Sequence, residues 1–435
     1  MQQKPIFSPT GGLWADLRRH GYFYYSMLLC CYSAMFATTV FFVPYYVELG
    51  YSNSRIGIIM AANSAMASIF PPMLGLLSDK LRSKRKTLLF CLAGLGLTAL
   101  CVPVVGRQFL LTLLIAALYN GLRYSTVSIG ETWAMSEVNR AVGLGSRMTY
   151  GSVRAWGSLG YSFTCLAYYF CLNGTGASNA LTMYGGAVLA LLTFIIALSG
   201  KKMEHTEASS GTASARALSM KELKPGRLFK NYYYLTFLVV YVLMSCSMNF
   251  GQNYMSQLME AVGGNAAFTG VLNFVRSFLE IPLLFLSPLL VRKLGYRTSL
   301  MISCAAFVAE QFFYIFAGGA VGVLLGQVIR GLSCGIMFSC AVAYIYSLVP
   351  RSLTATAQSI CAGCNNIVSM LANLAGGFLI DALGIRSIFW VSAGIQLAAV
   401  VLFSASLLLG RLRGIKPYEA ADDPVEQALS AQAGR

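Results

Sequence analysis

Charge is what this sequence has least of. Only 11% of its 435 residues are Asp, Glu, Lys or Arg, where a soluble domain carries about 25%, so the chain cannot keep a folded core in water and a soluble enzyme is excluded. Histidine is almost missing, and the two present, His20 and His205, fall outside every long apolar stretch. That removes the commonest metal ligand and the commonest general base from any site within those stretches. No Gly-x-x-x-x-Gly-Lys-(Ser/Thr) loop occurs, so an ATP-driven pump would have no phosphate cradle. The 12 cysteines show no zinc-type spacing near a histidine. Cys30, Cys31, Cys165, Cys334 and Cys340 lie within apolar stretches, Cys361-Ala-Gly-Cys364 sits inside one, and all read as small hydrophobes. With no metal-ligand cluster and no nucleophile beside a base, neither a cofactor nor a membrane-embedded enzyme is expected.

What fills the chain instead is apolar: 57% of its residues are hydrophobic and the mean hydropathy is +0.64. A helix needs about 20 largely apolar residues to cross a bilayer. Twelve stretches meet that length, at 22–47, 56–78, 87–105, 108–132, 148–171, 179–199, 231–258, 266–290, 299–317, 320–348, 354–379 and 386–410. The net charge of +16 does not point to nucleic acid, because the basic residues follow the connections rather than a face of a soluble module. Of 32 Lys and Arg, 25 lie in the termini and alternate connections, three (Arg55, Arg107, Arg386) in the intervening connections, and four (Arg123, Arg154, Arg276, Arg330) inside spans. That split is the positive-inside pattern. An even number of spans then places both termini in the cytoplasm, with the first span retained rather than cleaved as a signal peptide.

The widest polar gap divides the spans six and six, and the halves match each other. A shift of 209 lays Tyr24, Tyr25, Leu29, Tyr32, Met35, Phe41, Tyr45 and Leu49 on Tyr233, Tyr234, Leu238, Tyr241, Met244, Phe250, Tyr254 and Leu258, and a shift of 213 lays Gly57, Lys80 and Leu81 on Gly270, Lys293 and Leu294. The expected organisation is a cytoplasmic segment 1–21, a six-helix bundle 22–199, a cytoplasmic linker 200–230, a second bundle 231–410 and a cytoplasmic tail 411–435. Parallel six-helix repeats are a transporter architecture, with solute handled near the midplane.

Two motifs sharpen this. After the second span comes Gly75-Leu-Leu-Ser-Asp79-Lys80-Leu-Arg82-Ser-Lys84-Arg85-Lys86, which resembles the loop between helices two and three of the major facilitator superfamily, with Arg82 standing where that family has glycine. The resemblance implies that Asp79, with Gly75 and Lys80, latches one access state. In the second half Arg292-Lys293-Leu294-Gly295-Tyr296-Arg297 keeps the glycine and lacks the acid. The fifth span holds Gly151-Ser-Val-Arg154-Ala-Trp156-Gly157-Ser158-Leu-Gly160-Tyr161, which resembles the oligosaccharide and nucleoside proton symporters of the lactose-permease kind. Glu280-Ile-Pro282 and Gly326-Gln327-x-x-Arg330-Gly331 stand where that group has comparable runs. Where the group often has an arginine in helix nine and a histidine in helix ten, this chain has Glu310 and Arg330.

Read from the residues alone, ionisable groups within the spans are costly, about 2.5–3.5 kcal/mol each at a helix centre, and face a cavity or a partner. Seven qualify: Arg123, Glu131, Arg154, Arg276, Glu280, Glu310 and Arg330. Glu310 and Arg330 come to similar depth if the ninth and tenth spans are neighbours, and Arg276 and Glu280 stand one turn apart. A proton-coupling set of Glu280, Glu310, Arg276, Arg330 and Glu131 is expected, with interhelical ion pairing as the bland alternative. Arg123, Arg154, Tyr161, Asn249, Asn253, Tyr32 and Tyr241 are the expected solute-binding set. Asn249, Asn253 and Gln257 recur every four residues on one stripe, suited to hydroxylated ligands or to interhelical bonds. Glu137 is expected at the cytoplasmic surface.

The sequence therefore predicts an all-α membrane protein of twelve transmembrane helices with the major facilitator fold, a monomer in the cytoplasmic (inner) membrane of a bacterium. It would move a sugar, glycoside or nucleoside by alternating access and proton symport, with solute, proton and lipid bilayer as its only partners. An organic-anion or drug carrier of the same fold, possibly an exporter, is the alternative that the excess arginine favours.

Overall fold

The structure, a computed structural model, describes residues 21–81, 83–106, 108–143, 146, 150–199, 228–229, 231–350 and 353–414. Nearly all of the expected N-terminal segment, linker and tail lies outside these residues. Among those described, every regular element is a helix. The first expected span is α1 (Tyr22–Phe36), a 3-10 turn Ala37–Phe41, and α2 (Phe42–Glu48). There follow α3 (Asn53–Lys80), α4 (Lys84–Val105), α5 (Phe109–Gly143), α6 (Tyr150–Thr175) and α7 (Ala180–Ser199). The seventh span is α8 (Tyr232–Asn253) with the short α9 (Met255–Ala261). Then come α10 (Thr269–Ile315), α11 (Ala320–Leu348), α12 (Thr354–Leu383) and α13 (Arg386–Leu412).

Among the described residues, ten helices are long and apolar enough to cross a membrane. Outside that set fall α6, whose polar motif residues lower its hydropathy, and the part of α10 before Gly295. At Gly295, with φ 77° and ψ 161°, α10 breaks into two helices, and only glycine adopts that backbone without strain. Prolines sit inside helices at Pro71, Pro72 and Pro103, which transmembrane bundles tolerate because neighbours re-satisfy the freed backbone groups. Two of the described helix starts are capped by the side chain of the residue just before them: Ser83 Oγ accepts from the Lys86 amide, and Asn231 Oδ1 from that of Tyr234. Each cap satisfies an N–H with no intrahelical partner.

The chain clusters into two compact units. The first gathers residues up to Tyr51, Ala65–Thr206 and Ala267–Phe278; the second gathers Ser52–Ser64, Glu207–Ala266 and everything from Leu279. In the first, α1 packs on α6 and α7, and α4 on α5 and α7; in the second, α8 packs on α12 and α13. The repeat seen in the sequence thus reuses its packing, since the first and seventh spans each pack against the fifth and sixth of their own set. The α6 motif glycines explain one of these contacts. A Cβ on Gly160 would run into the Cys30 carbonyl, and one on Gly157 would come 2.8 Å from Ser33 Oγ, so both allow the backbones of α6 and α1 to approach.

Each unit has an apolar core, with Leu28, Leu92, Tyr119 and Trp133 buried in the first and Phe237, Met244, Phe307 and Phe403 in the second. Large side chains are also exposed over long reaches: Val104, Leu114, Phe170 and Ile195 on the first, Phe316, Val321, Leu371 and Val401 on the second. In water such patches would associate; against hydrocarbon they are matched.

Candidate functional site

In each unit a carboxylate–guanidinium pair joins two helices, and the two pairs differ in access to solvent. In the first, Arg154 Nε on α6 meets Glu131 Oε1 on α5 at 2.9 Å, with the side chains 42% and 32% exposed. In the second, Arg330 on α11 meets Glu310 on the later part of α10 at 2.8 Å, with the side chains 3% and 0% exposed. Arg330 has further bonds there: its Nη2 donates to the Met248 carbonyl at 3.0 Å and to Gln252 Oε1 at 2.8 Å, both on α8. Three helices therefore converge on one buried cation. Burying a charge is tolerable only when it is paired and hydrogen-bonded, and this site supplies both. The depth argument for Glu310 and Arg330 is met by a direct contact. Gln252 belongs to the same amide cluster as Asn249, Asn253 and Gln257 but lies off their stripe, and nothing in the sequence marked it as facing an arginine.

Arg123 stands apart from the first pair. Its Nη1 donates to Thr39 Oγ1 at 2.8 Å, and its guanidinium lies 4.5 Å from the Tyr124 ring centroid and 5.1 Å from that of Phe36. No carboxylate pairs with it among the described residues. Arg123 and Arg154, both expected in the solute-binding set, thus part: Arg154 pairs with Glu131 and Arg123 is a cation held by aromatic rings. Tyr161 donates to Asn273 Oδ1 at 3.1 Å and lies near Arg276. Arg276 and Glu280 are a turn apart on the first part of α10, where the chain passes from one unit to the other. Trp156 is partly exposed and donates from its indole to the Tyr22 hydroxyl at 3.1 Å.

The amide stripe of α8 is occupied by bonds between helices. Ser369 Oγ donates to Asn249 Oδ1 at 3.0 Å, Asn253 Nδ2 to Asn373 Oδ1 at 2.6 Å, and Gln257 Nε2 to Asn53 Oδ1 at 2.7 Å. Asn373 Nδ2 reaches Ser64 Oγ at 3.2 Å, which stands 3.2 Å from Ser369 Oγ. The seam ends at Asp381. Its carboxylate accepts from the Asn53 amide at 3.1 Å, Asn53 Nδ2 at 2.8 Å, the Ser54 amide at 2.8 Å and the Ser54 hydroxyl, so α12 caps the start of α3. Ser369, Asn373 and Asp381 repeat at four- and eight-residue spacing on α12. That partner stripe was present in the sequence and was not recognised.

Of the remaining expected residues, Tyr32 is buried and stacks near Phe36, and Tyr241 packs on the core beside Phe237. Gly75, Asp79 and Lys80 fall in the last turns of α3, with Lys80 exposed. Glu137 differs from expectation. α5 runs to Gly143 rather than ending near residue 132, and Glu137 is 3% exposed. Arg140, a turn later, closes the site by donating to its carboxylate at 2.6 Å.

Residues 22–391 match the MFS_1 like family. The chain belongs to that family. It is a multi-pass membrane protein, a transporter by family rather than an enzyme. Among known relatives, the lactose permease of Klebsiella oxytoca is 22% identical over 89% of this chain and 95% of its own length. The crystal structure of the nucleoside transporter NupG superposes with a TM-score of 0.74, at 15% identity over 89% of this chain and 98% of that one. That of a D-xylose-proton symporter superposes with a TM-score of 0.67, at 12% identity over 88% and 97%. These likenesses establish the fold of this MFS_1 like protein.

Proposed function

We propose that this chain is a proton-coupled secondary transporter of a sugar, glycoside or nucleoside, resident in the cytoplasmic membrane of a bacterium. The observation that carries the reading is the sealed Glu310–Arg330 pair. A proton arriving on Glu310 removes the counter-charge of a fully buried guanidinium, which then has only Met248 and Gln252 to hold it. An uncompensated buried charge is expensive, so proton loading and helix rearrangement are tied together. That is the requirement for coupling, because a ligand shifts a conformational equilibrium only by its differential interaction with the two states. The permease and symporter relatives support the same solute and ion classes.

Solute binding falls in this reading to the open pair. Arg154 offers planar donors and Glu131 offers acceptors, the complement of vicinal hydroxyls, so Glu131 joins Arg154 in binding rather than the coupling set. Arg123 with Tyr124 and Phe36 supplies a flanking aromatic surface, and Tyr161 holds Asn273. Asn249 and Asn253 spend their amides on α12, and we assign them to helix joining, with Tyr32 and Tyr241 assigned to packing. Arg276 and Glu280 remain candidates for a second coupling pair, and Asp79 for a cytoplasmic latch with Gly75 and Lys80. The topology in this reading is twelve spans, with α6 and the first part of α10 completing the ten, both termini cytoplasmic, and six-helix domains at 22–199 and 231–410.

The test is uptake into proteoliposomes across sugars, glycosides and nucleosides, with and without an imposed pH gradient. At least one neutral solute should accumulate only with the gradient. Gradient-independent uptake, or uptake confined to organic anions, would overturn the reading. For topology, a cysteine placed at Asn173 should react with an impermeant reagent from outside and one at Ser210 should not; reversed labelling refutes the orientation.

A further inference from the structure

A cavity of about 460 Å³ lies in the second unit, away from both ion pairs and independent of the transport reading. It is formed where three spans end together: the Gly295 break of α10, the last turn of α11 at Ser347 and Leu348, and the last turn of α13 at Arg411. The basic residues of these connections place the three ends at the cytoplasmic face in the expected topology. Two guanidinium groups, Arg297 and Arg411, line it together with Tyr296, Thr298 and Tyr344, and among the described residues no acidic side chain does. Among the described residues neither arginine has a carboxylate partner.

Arg297 is held in place. Its guanidinium lies over the Tyr233 ring, 5.0 Å from the centroid, and faces Tyr344. Beside Arg411, the side chains of Leu408, Leu409 and Leu412 are exposed, and Leu294 is exposed on the cavity rim. One end of the site is thus cationic and hydrogen-bonding, and the surface next to it is apolar. Two arginines with phenol and hydroxyl donors suit a phosphate ester. The leucine strip suits acyl chains, and basic pockets between spans recognise anionic headgroups.

We infer that this cavity binds the phosphate of an anionic phospholipid such as phosphatidylglycerol, with Arg297 and Arg411 as its ligands and the α13 leucines against its chains. Its lining residues include neither ion pair, so occupancy would steady the α10–α11–α13 corner rather than compete with solute at those pairs.

The experiment uses the full chain purified in mixed micelles with equal phosphatidylglycerol and phosphatidylcholine, and reads the lipid retained by native mass spectrometry. Phosphatidylglycerol should be enriched. Each of Arg297→Gln and Arg411→Gln should lower the enrichment about fivefold, from about 1 kcal/mol per basic residue near an anionic surface, and the double variant about 25-fold. Arg411→Gln changes an exposed group in a last helical turn and keeps the test valid if the double variant folds poorly. sn-Glycerol 3-phosphate at millimolar concentration should fail to displace the lipid. Equal retention of both lipids by the unaltered protein, or unchanged enrichment in Arg411→Gln with Arg297→Gln, overturns the site. Displacement by glycerol phosphate overturns the lipid assignment in favour of a soluble phosphate ester.

Discussion

The two ion pairs have the same chemistry and nearly the same length, 2.9 and 2.8 Å, yet they can do opposite things. Glu131 and Arg154 keep 32% and 42% of their side-chain surface, so water competes for both groups and a solute hydroxyl can replace it at small cost. Glu310 and Arg330 have none to spare. In the proposed reading the first unit's pair is a place to bind, and the second unit's is a charge balance that cannot be upset without moving helices. Environment rather than residue type separates binding from coupling, and mutations should expose the difference in size as well as kind.

The largest effect should come from halving the sealed pair. Glu310→Leu leaves Arg330 buried and uncompensated, a change that costs about 3–5 kcal/mol in such settings, whereas replacing both partners by apolar residues is often neutral or better. Glu310→Met with Arg330→Met should therefore melt close to the parent while Glu310→Leu melts far below it, and the folded double variant should lose pH-driven accumulation. Glu310→Gln, which keeps the shape, should abolish accumulation and retain exchange of labelled for unlabelled solute. Accumulation surviving in the Gln variant would make the pair structural and collapse the comparison.

The open pair should answer differently. Arg154→Gln or Glu131→Gln should shift thermal stability by less than about 1 kcal/mol, as exposed pairs do. Solute affinity should fall about tenfold or more, since a hydrogen bond to a charged group is worth about 1.5–3 kcal/mol. The reverse result, a large loss of stability with intact affinity, would mean that the open pair joins helices and the solute binds elsewhere.

A smaller effect is expected at the α8–α12 seam. Asp381→Ala removes four acceptor contacts, two of them from backbone amides at the start of α3. A lost helix cap typically costs about 1 kcal/mol, so melting should fall modestly. Asn253→Ala removes one interhelical bond and should cost about the same or less, with no change in solute affinity. A strong affinity loss at Asn253 would return the amide stripe to the solute.

The sealed pair was legible because ionisable groups deep in apolar spans are few, and depth arithmetic brings Glu310 and Arg330 level. α11 matched its expected limits, 320–348, because hydropathy and helix end together there. α5 did not. Its hydropathy falls after residue 132, but the helix continues because Arg140 reaches Glu137 and Lys84 donates to Ser136 at 3.0 Å, and these bonds carry a polar helix onward. The seam was half legible. Three amides on α8 and α9 stand out against an apolar background, while Ser369 and Asn373 on α12 cost too little to draw notice, and only matching the two stripes would have paired them. The partner of Glu131 was open for a similar reason, as two arginines of comparable depth competed for one carboxylate and Thr39 took the other.

Arg123 gives the smallest effect expected and the finest test of the comparison. It has a neutral hydroxyl and two aromatic rings where the other described arginines of the pairs have carboxylates, so its charge is not cancelled locally. A cation over rings is worth about 0.5–1 kcal/mol where water has access, and Arg123→Gln should cost stability no more than that. What it does to transport depends on the solute. For a neutral sugar or nucleoside, Arg123 contributes one donor edge beside Tyr124, and its loss should weaken affinity about threefold, with Arg123→Lys doing nearly the same because the planar stacking goes in both. For an organic anion, Arg123 would be the counter-charge: Arg123→Gln would then abolish binding and Arg123→Lys would restore most of it. Measuring solute affinity in both variants, at a pH where the solute's charge is fixed, therefore separates a hydroxyl-binding site built on the open pair from an anion site built on the unpaired guanidinium.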